Sequence, residues 1–281
     1  MDVMDVAAFL KEDIKDSDIT SEALLSEERA KARIIAKEDC VLAGLSEALK
    51  VFEHLSLEVK SEIADGNQAL KGDTILTIEG RAKDILAGER LALNFLGRMS
   101  GIATETRKLV DKCRRINPNV QIAATRKTTP GFRVFEKKAV ILGGGYPHRF
   151  CLDDAFLIKD NHLKLVPSIE EALNRAKSSE PARQGKKVEI EVENLGDALK
   201  AASAGADIVM LDNMAPEEVK KAYLAVKEAK SHIVVEVSGG VTPHNIEEYA
   251  ESADMISLGF LTHSVSAVDF SLEITELLDE N

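Results

Sequence analysis

From about residue 120 onward the chain alternates short β-prone segments with helical patterns, and nothing else constrains its fold as strongly. QIAAT (121–125), AFLIK (155–159), KVEIEVE (187–193), ADIVMLD (206–212), HIVVEVS (232–238) and ADMISLG (253–259) are short and apolar-rich. Helical periodicity fills 131–142, 167–178, 195–204, 215–230 and 243–251 between them. The last four strands begin about 20–25 residues apart, the length of a compact βα unit. Such alternation implies a parallel sheet. Six or so units, with no glycine fingerprint after the first strand, favour a closed barrel over a doubly wound sheet.

In βα barrels the chemistry sits at the C-terminal ends of the strands. Those ends read Arg126-Lys127, Lys159-Asp160-Asn161, Glu191 to Asn194, Asp212-Asn213, Ser238-Gly239-Gly240 and Gly259. KVEIEVEN places Glu189, Glu191 and Glu193 on one face and Val188, Ile190 and Val192 on the other. The aliphatic face has to pack under the helices, so the carboxylates point into the barrel. Buried carboxylates are costly unless a cation or metal pairs with them. Lys127 and Lys159 are the expected partners, while Glu189 is expected to reach solvent at a rim.

Residues 121–164 hold eight Lys/Arg and only four Asp/Glu, in a chain whose net charge is −12. Around EKK (136–138), Lys137 and Lys138 read as a solvated helix face. That leaves Arg126, Lys127, Arg149 and Lys159 to be explained. TTPG (128–131) makes a tight turn into a helix and leaves Arg126 and Lys127 at a strand mouth. GGG (143–145) keeps side-chain bulk away from His148 and Arg149. Arginine offers a planar fork and lysine a point charge, a combination suited to a small polyanion with more than one carboxylate. Arg133 is as well suited to a structural role as to a ligand role. SGG (238–240) and LGFLTH (258–263) close the last two strands. Backbone N–H groups there, with Ser238, Thr262 or His263, suit a phosphate. In VTPHNIEEY (241–249), Thr242 and Pro243 provide a helix start.

The first hundred residues have a different texture. ARIIAKEDCVLAG (32–44) and the alternating LEVKSEIADGNQALKGDTILTIEG (57–80) read as short antiparallel strands beside a helix near 44–54. A helical pattern runs from 82 to 115, with a break expected near SGIAT (100–104). The acidic N-terminus lacks the basic region of a signal peptide. No apolar run approaches the roughly 18–20 residues that span a bilayer. Cys40, Cys113 and Cys151 are odd in number and far apart, and the histidines form no HxH or HExxH pair. A reduced, cytoplasmic setting without nucleic-acid or membrane partners is the expectation.

TRKTTPG (125–131), GGGYPHR (143–149) and LIKDNH (157–162) together resemble the quinolinate phosphoribosyltransferase family. EDIKDSDIT (12–20), VLAG (41–44), GERLALNFLGRMSGIAT (88–104), EIEVEN (189–194), LDN (211–213), SGG (238–240) and ISLGFLTHS (256–264) agree in order along nearly the whole chain. The resemblance implies a small α/β sandwich-like N-terminal domain over 1–115, with the 265–281 tail returning to it. It also implies a TIM-like open βα barrel of about six parallel strands over 116–264. The implied reaction joins quinolinate to phosphoribosyl pyrophosphate, with Mg²⁺, giving nicotinate mononucleotide, pyrophosphate and carbon dioxide. By motif, Arg126, Lys127, His148, Arg149 and Lys159 would surround the diacid, and Arg90 would enter from a partner subunit of a dimer or larger homo-oligomer. Glu191 and Asp212 would lie near the ribose and the metal-bound pyrophosphate, directly or through water. Lys127, Lys159, Glu191 and Asp212 would carry the catalysis. Ser238, Gly239, Gly240 and Gly259 would bind phosphate, with His263 nearby. Lys15 and Ser17 stand where the family commonly has glycine, and Pro147 where it usually has asparagine. A proline at that point is shared with a sister group associated with molybdate transport, which stays open as an alternative beside a non-catalytic anion-binding module.

Overall fold

The computed structural model describes residues 5–278. Its strands, in chain order, are β1 (Arg29–Ala36), β2 (Cys40–Val41), β3 (Glu58–Lys60), β4 (Gln68–Ala69), β5 (Thr74–Arg81) and β6 (Gln121–Ala123). They continue as β7 (Phe156–Ile158), β8 (Val188–Val192), β9 (Ile208–Asp212), β10 (Val234–Ser238), β11 (Met255–Ser257) and β12 (Phe270–Leu278). The chain divides into two compact units. One takes the residues up to 107, 134–144 and the chain from 265 onward; the other takes 108–133 and 145–264.

The first unit is built on an antiparallel sheet in the order β12-β1-β5-β3, with β2 and β4 paired separately. Ile34 sits opposite Leu272 on one side and Leu76 on the other, so the tail strand pairs with the first strand. Ala32, Ile34, Leu76 and Ile78 are fully buried, as are Ala48 and Phe52 on the helix Leu45–His54. Burying each large apolar side chain contributes about 1.5–3 kcal/mol. The helix Val6–Ile14 brings Phe9 against Phe95 and Phe135, with ring centroids 5.3 and 5.9 Å away.

Three features differ from expectation. The helix Ala82–Arg114 runs unbroken through SGIAT. There the glycines let another stretch of backbone come close instead of breaking the helix: Val268 donates its N–H to the Gly97 carbonyl at 3.0 Å. Second, the helix Arg133–Leu142, which the alternation assigns to the barrel, lies for residues 134–144 in the first unit. Third, EKK is not a solvated face. Glu136 and Lys137 are fully buried, and Arg98 binds Glu136 at 2.7 Å. Lys138 pairs with Glu47 at 2.8 Å and Asp65 at 3.5 Å. Charge alone suggested solvent, whereas these side chains meet opposite charges from elements distant in sequence.

The second unit carries the six-stranded parallel sheet in the order β6-β11-β10-β9-β8-β7. Among the described pairings β6 and β7 do not bond each other, so the ring is open, as the family resemblance implies. Register sets Glu191 level with Met210, Glu236 and Met255, and Asp212 level with Ser238. The entry ends of two strands share one device. Asp207 accepts the Val188 N–H at 2.7 Å and pairs with Lys177 at 2.9 Å. Asp254 accepts the Val235 N–H at 2.7 Å and pairs with Lys227 at 2.6 Å. Burial raises the Asp207 pKa, but Lys177 and the Val188 N–H outweigh it and leave it below the usual 3.8. A lowered folded pKa contributes stability above the unfolded value that is lost as pH falls through the folded one. Asp207→Asn is therefore expected to cost about 1 kcal/mol at neutral pH. The gap from wild type should vanish well below pH 3.8 in parallel thermal melts.

Candidate active site

The C-terminal strand ends of the second unit surround a cavity of about 530 Å³. Arg126 and Lys127 follow β6, His148 and Arg149 precede β7, and Lys159 follows it. Glu191, Asp212 and Glu236 enter from β8, β9 and β10, and Ser238-Gly239-Gly240 closes β10. Ser257 lines the cavity from β11.

The loops that present these groups are braced from behind. The fully buried Thr262 donates its hydroxyl to the Lys127 carbonyl at 2.7 Å, and Lys127 donates its N–H to the Thr125 hydroxyl at 3.1 Å. Arg133 bonds the Thr128 hydroxyl at 2.9 Å and the Phe150 carbonyl at 2.8 Å, a structural role joining the two basic loops. Arg149 reaches the Ala155 carbonyl at 3.2 Å.

Cations crowd one wall. Burial lowers the Arg149 pKa, and the charge on Arg126 lowers it further. The buried Arg126 Nε has no hydrogen-bond partner. Glu189, Asp154 and Glu236 offset part of this repulsion, and an anion set against both guanidiniums would relieve more of it. Across the cavity, Lys159 forms an ion pair with Glu191. Asp212 accepts a bond from the Asn213 amide at 2.6 Å, yet burial and then the Glu191 charge raise its pKa. Hard oxygen donors of this kind fit a magnesium ion, held directly or through water.

Beneath the cations lies a second acidic pair. Glu189 is buried at 1% exposure, which corrects the expectation that it reaches solvent. Side-chain alternation gives the face but not the depth, and Glu189 sits one inward position below the Glu191 level. His148 Nε2 stands 3.1 Å from Glu236 and 3.4 Å from Glu189. Burial opposes charge on His148, but the two carboxylates outweigh it and push its pKa up to about 10. The Arg149 N–H, however, bonds His148 Nδ1 at 2.8 Å, which requires a lone pair that a doubly protonated ring lacks. The two indications conflict, and the contact decides, because an N–H facing a second N–H would not close to that distance. That contact assigns the ring as the Nε2–H tautomer. Burial, and then the Glu236 charge, raise the Glu189 pKa.

A family model for the quinolinate phosphoribosyl transferase N-terminal domain matches residues 18–100, and one for the C-terminal domain matches 102–273. The chain belongs to the quinolinate phosphoribosyltransferase family. It is 47% identical over 248 residues to the probable nicotinate-nucleotide pyrophosphorylase [carboxylating] of Archaeoglobus fulgidus, covering 87% of this chain and 94% of that protein. The human nicotinate-nucleotide pyrophosphorylase [carboxylating] is 37% identical, covering 87% and 82%. The crystal structure of NadC from Streptococcus pyogenes superposes with a TM-score of 0.90 at 38% identity, covering 98% and 96%.

Within this phosphoribosyltransferase-family chain, ten of the thirteen expected site residues line one cavity: Arg126, Lys127, His148, Arg149, Lys159, Glu191, Asp212, Ser238, Gly239 and Gly240. Gly259 and His263 do not. A Cβ on Gly259 would meet His263 Nε2 at 2.7 Å and Lys127 Cδ at 2.9 Å, so this pair backs Lys127. His263 is exposed and bonds Ser264. The helix begun by Thr242 shrinks to Glu247–Ala250 after a turn, although Thr242 accepts the Asn245 N–H at 3.4 Å. Arg90 belongs to the first unit and lines a different cavity there, with Asn94 and Arg98. Glu236 and Ser257 escaped the sequence reading. VVEVS repeats the glutamate-between-valines pattern of KVEIEVEN, and that signal would have found Glu236.

Proposed function

We propose that this cavity transfers the phosphoribosyl group of phosphoribosyl pyrophosphate to quinolinate with loss of carbon dioxide, yielding nicotinate mononucleotide and pyrophosphate. The carrying observation is the Arg126–Arg149 pair, two like charges held together beside Lys127 and Lys159. One carboxylate would satisfy one fork; a diacid satisfies both. Binding there holds the pyridine nitrogen towards the anomeric carbon, and that orientation supplies much of the rate. The nitrogen's lone pair forms the glycosidic bond as the bond to pyrophosphate breaks. Glu191 and Asp212 face the positive charge that develops on the ribose. The pyridinium then accepts the electron pair released when the adjacent carboxylate leaves as carbon dioxide, and a proton replaces it on the ring. Ser238 and the Gly239-Gly240 backbone, which line the same cavity, would hold phosphate. Magnesium, bound near Glu191 and Asp212, would neutralise the leaving pyrophosphate.

Arg90 reads as the contribution of a partner subunit in a homodimer or larger homo-oligomer, as the family resemblance implies. A reduced cytoplasm suits the three unpaired cysteines, and no helix among the described residues is long and apolar enough to cross a membrane.

Arg126→Ala should raise the KM for the diacid at least ~10-fold, the effect of one charged hydrogen bond. An unchanged KM in initial-rate measurements would remove Arg126 from the ligands. The activity itself is tested by incubation with quinolinate, phosphoribosyl pyrophosphate and Mg²⁺, following nicotinate mononucleotide and carbon dioxide. Chelation of the metal should stop turnover and added Mg²⁺ restore it. Turnover with nicotinate but not quinolinate would contradict the reading.

A further inference from the structure

Ser257 ends β11 at 3% exposure and lines the strand-end cavity, yet its Oγ has no hydrogen-bond partner. Thr262, equally enclosed, spends its hydroxyl on the Lys127 carbonyl at 2.7 Å. The other unpartnered buried hydroxyls among the described residues, Thr106 and Ser271, belong to the first unit and do not line this cavity. A hydroxyl taken from water and left unmet costs stability that alanine would not lose. Met255 stands level with Glu236, which lines the cavity. Ser257, two positions on, keeps the same face one layer nearer the mouth.

Register fixes its neighbours. Ser257 pairs with Ala123 of β6, and the Val237–Ile256 pairing sets it level with Ser238. Ser238 in turn pairs with Asp212. The row runs Asp212, Ser238, Ser257, and two strand spacings put its ends ~10 Å apart. Magnesium and the pyrophosphate belong at the Asp212 end. Ser257 lies beyond the 238–240 loop, towards the strand that leads to Lys127.

We propose that Ser257 is a binding residue for the 5′-phosphate of the phosphoribosyl donor, adding a side-chain hydroxyl to the backbone of the 238–240 loop. The inference deepens the phosphoribosyl reading and rests on it. A phosphate oxygen is a charged acceptor, and a hydroxyl facing it makes a short, charge-assisted bond. Serine turns on a single χ1 torsion, so the Oγ can follow the incoming oxygen without backbone movement. Glu191 and Asp212 repel an anion that carries no metal, whereas Lys127 attracts it to the other end of the row.

The competing role is packing, in which serine stands there only because a larger side chain would fill the cavity. Ser257→Ala separates the two, since it removes the oxygen and leaves the space. Calorimetric titration of the full chain with ribose 5-phosphate, and separately with pyrophosphate and Mg²⁺, reads the two ends of the donor without any acceptor. The variant should bind ribose 5-phosphate at least ~10-fold more weakly, the effect of one hydrogen bond to a charged group. Its affinity for magnesium pyrophosphate should stay within about twofold. In initial-rate kinetics the KM for phosphoribosyl pyrophosphate should rise and that for quinolinate should not. The variant should melt no lower than wild type, because it sheds an unmet polar group. Equal affinity for ribose 5-phosphate in the two proteins, or a variant that melts lower, would overturn the proposal. So would a loss confined to pyrophosphate or shared with quinolinate. A wild-type chain that binds no ribose 5-phosphate would overturn the phosphoribosyl reading itself, and this inference with it.

Discussion

Gly239→Ala is expected to lower kcat/KM for phosphoribosyl transfer by about 10²-fold or more while the protein stays folded. Gly239 has φ 75°, so any side chain there is strained. The space is also taken. A Cβ would stand 2.5 Å from the Asn213 Oδ1 and 2.6 Å from the Asp212 Oδ1. Asn213 holds Asp212 through its amide and itself adopts φ 53°, so this corner cannot give way without turning the carboxylate. Displacing Asp212 by a fraction of an ångström disturbs the acidic side of the cavity and the phosphate loop at once. The measurement is initial-rate kinetics beside circular dichroism. Wild-type kinetics in a folded variant would mean that neither Asp212 nor the 238–240 loop takes part in the reaction.

Gly101→Ala is the largest stability effect expected, and its sign is diagnostic. Gly101 lies inside the helix Ala82–Arg114, where helix propensity alone would make alanine better by about 1 kcal/mol. Packing opposes it. The added Cβ would lie 2.1 Å from the Ser266 carbonyl oxygen, a backbone atom with no flexible side chain to move aside. Overpacking of this kind outweighs propensity, and a net loss of at least about 2 kcal/mol is expected. The melting temperature should fall by ~4 °C or more. A rise would show that the 265–268 segment does not lie on this helix.

The barrel was legible because alternation of strand and helix is a local signal. Six strands, their order of appearance and the polar residues at their ends all follow from patterns within ten residues. Glu191, Asp212 and the basic loops were found in this way. What stayed hidden depends on contacts between residues far apart in sequence. Glu189 and Glu191 look alike in KVEIEVEN, and only depth in the sheet separates a solvated glutamate from one clasping His148. EKK resembles a wet helix face until Arg98 and Glu47 arrive from elsewhere in the chain. SGIAT reads as a helix break because small residues weaken helices, whereas here they admit a second backbone. The strand β12 finds its partner, β1, some 240 residues away, as in the Arg33–Glu273 pair. No local period reports that.

The central claim, that opposed arginines at the strand ends exist to hold a diacid, is tested most directly by solving the structure with quinolinate bound. The account predicts both carboxylates within hydrogen-bond reach of Arg126 and Arg149, one of them satisfying the Arg126 Nε that is unpartnered here, with the ring nitrogen facing Glu191 and Asp212. Quinolinate seated elsewhere, or a single carboxylate bound with the Arg126 Nε still unmet, would contradict it.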